Sequence, residues 1–139
     1  MNNFYARSVF FVKDAELSRQ FYVERLGFSE DWNHREDGRT YVCQVSLFGF
    51  ELILNETYMN TLPRAGHGRV FIGLDDDQLE PLRDHLTAKN IPVERVDWGR
   101  PTLVLRDLDG NEIFIWLPHD DFTGLGTSAL VNRNEAFIG

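Results

Sequence analysis

Apolar and polar positions are patterned most clearly over residues 100–118, RPTLVLRDLDGNEIFIWLP. Two apolar runs, TLVL and IFIWLP, flank the polar stretch Asp107-Leu108-Asp109-Gly110. β-rich runs on both sides of an Asp-Gly pair predict a hairpin. In the second run Glu112, Phe114 and Trp116 share one face, and Ile113, Ile115 and Leu117 share the other. All of these but Glu112 are apolar, which predicts a strand covered on both sides. Helices are expected on one face and a cavity on the other.

The rest of the chain divides by the same reasoning. Residues 7–12, RSVFFV, read as a strand. Asp14 offers an N-cap and Glu16 an acidic first turn. Leu17, Phe21 and Tyr22 then fall at helical spacing, predicting a helix over 15–26 with Gly27 just past its end. Strands follow at 28–32, 41–47 and 50–54, the first two separated by a polar turn at 33–39 that contains Asp37-Gly38. Beyond a linker at 56–68, rich in Pro and Gly at its end, the pattern restarts. A strand is expected at 69–74, then acidic caps at 75–77. Leu79, Leu82 and Leu86 predict a helix over 77–89, and a strand at 93–98 leads to the hairpin.

The order β-α-β-β-β thus occurs twice, over about 6–55 and 69–118. Aligning the opening strands sets Arg7 against Arg69, Val9 against Phe71, Phe10 against Ile72 and Val12 against Leu74. This is a tandem repeat of one supersecondary unit within a single domain spanning 1–139. The tail, 119–139, carries Phe122, Leu125, Leu130, Val131, Phe137 and Ile138. That apolar content is costly to expose and predicts packing over the domain or onto another chain.

Composition narrows the partners. The net charge is −8, with about three quarters of the excess acid in residues 69–139. Nucleic acid is disfavoured, since phosphate binding needs clustered Lys and Arg. The field favours a cationic small molecule, although solubility alone also accounts for it. No apolar run approaches the roughly 20 residues that span a bilayer, so no membrane association is expected. The N-terminus lacks the pattern of a signal peptide. Cys43 is the single cysteine, which suits a reducing compartment; the cytoplasm is the expected location. Cys43 sits mid-strand with no histidine paired to it in the sequence, so no nucleophile-and-base constellation stands out.

The repeat, the run VFFVKDAELSRQFYVERLGF and the ending WGRPTLVLRDLDGNEIFIW together resemble the vicinal oxygen chelate superfamily. This is the group of glyoxalase I, the extradiol dioxygenases and the bleomycin-resistance proteins. The resemblance implies an α+β fold, two βαβββ units whose curved mixed sheets enclose a cleft. In metal-dependent members it also implies four ligand positions, usually His or Glu. Carried over, these fall on Arg7, Glu51, Arg69 and Phe114. Only Glu51 can ligate a cation, because arginine is permanently cationic and phenylalanine has no lone pair to give. A two-residue slip along the strands offers His67 and Glu112 beside Glu51 as a displaced set. A metal-free chain most like the bleomycin-resistance members is the leading expectation, with no cofactor.

The same face assignment sets Arg7, Val9, Phe11, Glu51, Ile53, Arg69, Phe71, Phe114 and Trp116 toward the groove. Glu51 is expected between Arg7 and Arg69, either as a structural ion network or as a polar anchor for a ligand. Trp98-Gly99-Arg100 resembles the WG element of bleomycin-resistance proteins, in which a Trp stacks on the drug; packing between units is the alternative. Trp32 follows the second strand near another aromatic of that group. The resemblance implies antibiotic resistance by sequestration, in a homodimer that holds an aromatic or cationic ligand between subunits. The competing expectation is a metal-dependent lyase, isomerase or oxygenase using Glu51, His67 and Glu112.

Overall fold

The first apolar run folds as strand β1, Ser8–Val12. In the computed structural model, which describes residues 4–58, 62–97, 101–118 and 132–134, Asp14 then caps helix α1, Ala15–Gln20, accepting from the Leu17 amide at 3.0 Å. The helix continues as a π-helical turn, Phe21–Arg25. There the Leu26 amide donates five residues back to Phe21 at 3.0 Å. Gly27 ends the segment at φ +77°, where a Cβ would also lie 2.5 Å from the His85 ring. The buried stripe is Ala15, Ser18, Tyr22 and Leu26, three and four apart. Leu17 lies one position off that stripe and is 55% exposed, contrary to the helical face expected for it.

Strands β2 (Ser29–Glu36), β3 (Arg39–Leu47) and β4 (Phe50–Glu56) complete the first unit. The turn after β2 shrinks to Asp37-Gly38, with φ of 52° and 77°, the left-handed pair that a two-residue hairpin needs. β2 therefore runs four residues beyond its predicted end. It is an edge strand with almost wholly exposed side chains, so it carries no apolar alternation to reveal its length.

The second unit has β5, Arg69–Gly73, and a 3-10 turn, Asp76–Gln78, that leads into α2, Leu79–Ala88. Asp75 and Gln78 close this turn on each other: the Gln78 side chain accepts from the Asp75 amide at 3.2 Å, and the Gln78 amide donates to the Asp75 carbonyl at 3.0 Å. Leu79, Leu82 and Leu86 form the buried face of α2. Strands β6 (Glu94–Asp97), β7 (Pro101–Arg106) and β8 (Glu112–Trp116) follow. One stretch of the tail, Asn132–Asn134, forms β9.

The sheet orders are β1-β4-β3-β2 and β5-β8-β7-β6-β9. In each unit the first strand runs parallel to the fourth, and β9 adds a parallel edge beside β6. The tandem α+β architecture read from the sequence is thus observed. One face of each sheet joins a single core that both helices share. Phe10, Val12, Cys43, Leu52 and Leu54 from the first unit meet Leu103, Leu105, Ile113, Ile115 and Leu117 from the second.

The turn between β7 and β8 fastens the units together. The buried Asp107 carboxylate accepts from the Tyr22 hydroxyl at 3.0 Å and the Asn111 side chain at 2.9 Å. It also accepts from the Asp109 and Asn111 amides, each at 2.9 Å. Asn111 in turn donates to the Phe11 carbonyl at 3.1 Å and accepts from the Gly68 amide at 2.7 Å. The buried polar side chains of Tyr22, Asp107 and Asn111 thus all have partners, as burial requires. Among the described residues, no helix is long and apolar enough to cross a membrane.

Candidate functional site

With odd positions of β8 in the core, its even positions face away from the helices, and pairing register fixes which neighbours join them. On the first sheet this helix-free face carries Val9 and Phe11 of β1, opposite Ile53 and Asn55 of β4. Ile53 and Glu51 lie opposite Gln44 and Ser46 of β3, and Gln44 lies opposite Trp32 of β2. A register shift between Glu30 and Trp32 brings Asp31 to the same cluster. Gln44 is buried and organises it. Its amide nitrogen donates to Asp31 at 2.8 Å and to Glu51 at 3.2 Å, while its carbonyl accepts from the Trp32 indole at 3.2 Å. Ser46 adds a 2.9 Å bond to Asp31. Two carboxylates and an indole are thereby held beside the apolar side chains of Val9, Phe11 and Ile53. Arg7 reaches Glu51 at 3.5 Å, both side chains being about a third exposed.

The second sheet presents a different face. Arg69, Phe71 and Gly73 of β5 lie opposite Glu112, Phe114 and Trp116 of β8. These lie opposite Arg106, Val104 and Thr102 of β7. Charges alternate along one row. Arg69 reaches Glu112 at 2.9 Å, Arg106 reaches the other oxygen of Glu112 at 2.6 Å, and Arg106 also pairs with Glu94 of β6. Burial opposes the charge of Glu112, but the two guanidiniums outweigh it and hold its carboxyl below the usual range. Behind this row Val96, Val104 and Phe114 form a small apolar cluster separate from the main core.

Four large apolar side chains on these faces remain accessible: Val9 at 48%, Phe71 at 44%, Trp32 at 40% and Trp116 at 38%. Phe11 and Ile53 are half-buried, with the Arg64 guanidinium 5.5 Å from the Phe11 ring centre. Phe71 and Trp116 lie in tilted contact, 6.3 Å between ring centres. Such a surface suits planar apolar groups.

Several sequence expectations change. Glu51 does not lie between two arginines; among the described residues Arg69 has Glu112 of its own sheet as its ion partner, and Arg7 alone approaches Glu51. Phe114 is on the expected face but fully buried, with the Arg69 guanidinium 4.8 Å from its ring centre. The displaced set of Glu51, His67 and Glu112 is not assembled: among the described residues no three His, Cys, Asp or Glu side chains gather as ligands. Glu51 and Glu112 belong to different sheets, and both oxygens of Glu112 are already engaged by arginines. The described residues therefore do not assemble the three-ligand set that a catalytic metal needs. Trp98 and Arg100 lie outside the described residues. Burial pushes the Cys43 thiol up to about 12, which makes it inert as a nucleophile.

Asp31, Gln44, Ser46, Glu94 and Arg106 were not singled out from the sequence. Gln44 had one signal, a polar residue in the apolar run 41–47. The others depend on register and on a bulge that sequence alone does not fix.

The model of the Glyoxalase/Bleomycin resistance protein/Dioxygenase superfamily matches residues 5–115. No curated protein matches the chain. Among solved structures it is similar to the bleomycin-binding protein of bleomycin-producing Streptomyces verticillus, complexed with copper(II)-bleomycin. That match has TM-score 0.60 and 19% identity, over 86% of this chain and 100% of that one. TnmS3, an antibiotic binding protein from Streptomyces sp. CB03234, matches with TM-score 0.55 and 23% identity over 86% and 100%. Lactoylglutathione lyase from Agrobacterium tumefaciens matches with TM-score 0.55 and 18% identity over 84% and 95%. At these identities the likeness is one of fold, and the fold hosts both binders and enzymes.

Proposed function

Because the chain belongs to the Glyoxalase/Bleomycin resistance protein/Dioxygenase superfamily, we propose that it is a metal-independent binding protein that sequesters an aromatic, cationic small molecule of the bleomycin type. The observation that carries this reading is the accessible Trp32 indole, hydrogen-bonded to a buried Gln44 that also holds Asp31 and Glu51. The indole offers a stacking surface, and the two carboxylates offer attraction to a cation beside it. Sequestration needs shape and stacking rather than a nucleophile or a tuned acid.

Each sheet offers only an open half of a groove. A second copy of the chain closes it, setting the accessible rings of one unit against those of the other. The buried, unreactive thiol of Cys43 fits a reducing compartment, and the protein acts in the cytoplasm.

Calorimetric titration with metal-free and copper-loaded bleomycin tests the ligand class. Saturable binding is expected, and Trp32→Ala weakens it about tenfold, the equivalent of roughly 1.4 kcal/mol. No heat with either form overturns the ligand class. Full binding by the Trp32 variant removes this face from the site. Sedimentation equilibrium tests the assembly; a particle of twice the 16.1 kDa chain mass is expected, and a monomer that binds the ligand unchanged contradicts the shared groove.

A further inference from the structure

A cavity of about 380 Å³ opens on the opposite side of β8 from the rings described above. Its walls come from both units: Phe28 and Phe50 from the first, Ile72, Leu74, Leu82 and Ile115 from the second. Among the described lining residues none is charged, and Gln78 supplies the polar side chain. In a chain of net charge −8 this is an unusually neutral place. Water that enters it finds few polar partners on the walls, so an apolar molecule that displaces it is favoured. A dry cavity of roughly 150 Å³ already admits benzene, so this one has room for a two-ring or similarly sized molecule.

The rim carries a second, independent sign. Phe48 and Gly49 form the turn between β3 and β4, with φ of +51° and +85°. Left-handed backbone suits Asn, Asp or Gly at the first position, and a bulky aromatic there is a conformational outlier. The Phe48 ring is nonetheless kept there, lining the cavity while 44% exposed, in edge contact with the His85 ring of α2 at 5.8 Å. Backbone strain of this kind clusters at ligand clamps and switch regions, and here the ring completes the wall of the opening.

We propose that this cavity is a second ligand site, which takes a neutral, apolar molecule of about ten to twenty non-hydrogen atoms. It is separate from the helix-free faces, since Ile113 and Ile115 line it while Phe114 and Trp116 point away. It does not depend on the groove's binding a drug.

The test is a fluorescence titration of the full chain with N-phenyl-1-naphthylamine, a neutral two-ring dye with a pendant phenyl group. Saturable binding of one dye per chain is expected. Phe48→Asn relieves the turn, so its melting temperature should stay level or rise while dye affinity falls ~10-fold or more. Leu74→Trp, which fills the cavity from a half-buried wall position, should abolish saturable binding with the circular dichroism unchanged. Trp32→Ala should leave dye affinity as in the parent. Absence of saturable binding, equal affinity in the Phe48 and Leu74 variants, or loss of the dye with Trp32→Ala would each overturn the proposal. The last result would place the dye on the helix-free face instead.

Discussion

Glu16 accepts from three groups at once. Its carboxylate takes hydrogen bonds from Arg19, from Gln20 at 3.0 Å and from the Thr40 amide at 3.0 Å. The Arg19 bond dominates, and the carboxyl falls from an ordinary 4.5 to about 2. A group depressed by folding stabilises the native state above its unfolded value, and that stability is lost as pH falls through its folded value. Urea midpoints measured from about pH 5 down to about pH 2 should therefore decline, and Glu16→Gln should decline less steeply from a lower starting stability. A variant with the parent's slope would show that Glu16 is not the responsible group. Residue identities at this scale were legible only where chemistry is local. The cap at Asp14 and the stop at Gly27 were readable because each acts on its own few neighbours. The burial of Phe114 was not, because it depends on side chains from other strands: Arg69, Val96 and Val104.

At the scale of elements, the Asp107–Asn111 turn matters beyond closing its hairpin. Asp107 holds Tyr22 of the first unit, and Asn111 bridges Phe11 and Gly68. Tyr22→Phe removes one bond but leaves Asp107 with Asn111, and should cost about 1 kcal/mol in urea unfolding. Asn111→Ala strands the Gly68 amide, leaves the Phe11 carbonyl with the Gly66 amide alone and takes a donor from Asp107, and should cost about 2–3 kcal/mol. The reverse ranking would mean that the units are fastened elsewhere. The hairpin itself was readable because Asp-Gly and apolar runs are local signals. The length of β2 was not, because an edge strand with polar residues on both faces has no period to read. Leu17 misled for a related reason: the small residues Ala15 and Ser18 define the stripe, and hydropathy underweights them.

At the scale of the molecule, two copies of one unit share a core on their helical sides and leave their other sides unequal. The first is open, with carboxylates and an indole. The second is crossed by a row of paired charges with Phe114 buried behind it. The repeat made this architecture legible, since alternation assigns each strand residue to a face without any tertiary knowledge. Which charged residues meet was not legible, because Arg69 and Glu112 are 43 positions apart and join only through the parallel pairing of β5 with β8. The proposed ligand face is the helix-free one around Trp32. Chemical-shift mapping of the nitrogen-15-labelled protein with metal-free bleomycin tests it most directly. The Trp32 indole signal and the amides of Asp31, Gln44 and Glu51 should shift together, saturating at the calorimetric affinity. Saturating shifts confined to Phe28, Phe50, Leu82 and their neighbours, with the Trp32 indole unmoved, would contradict it.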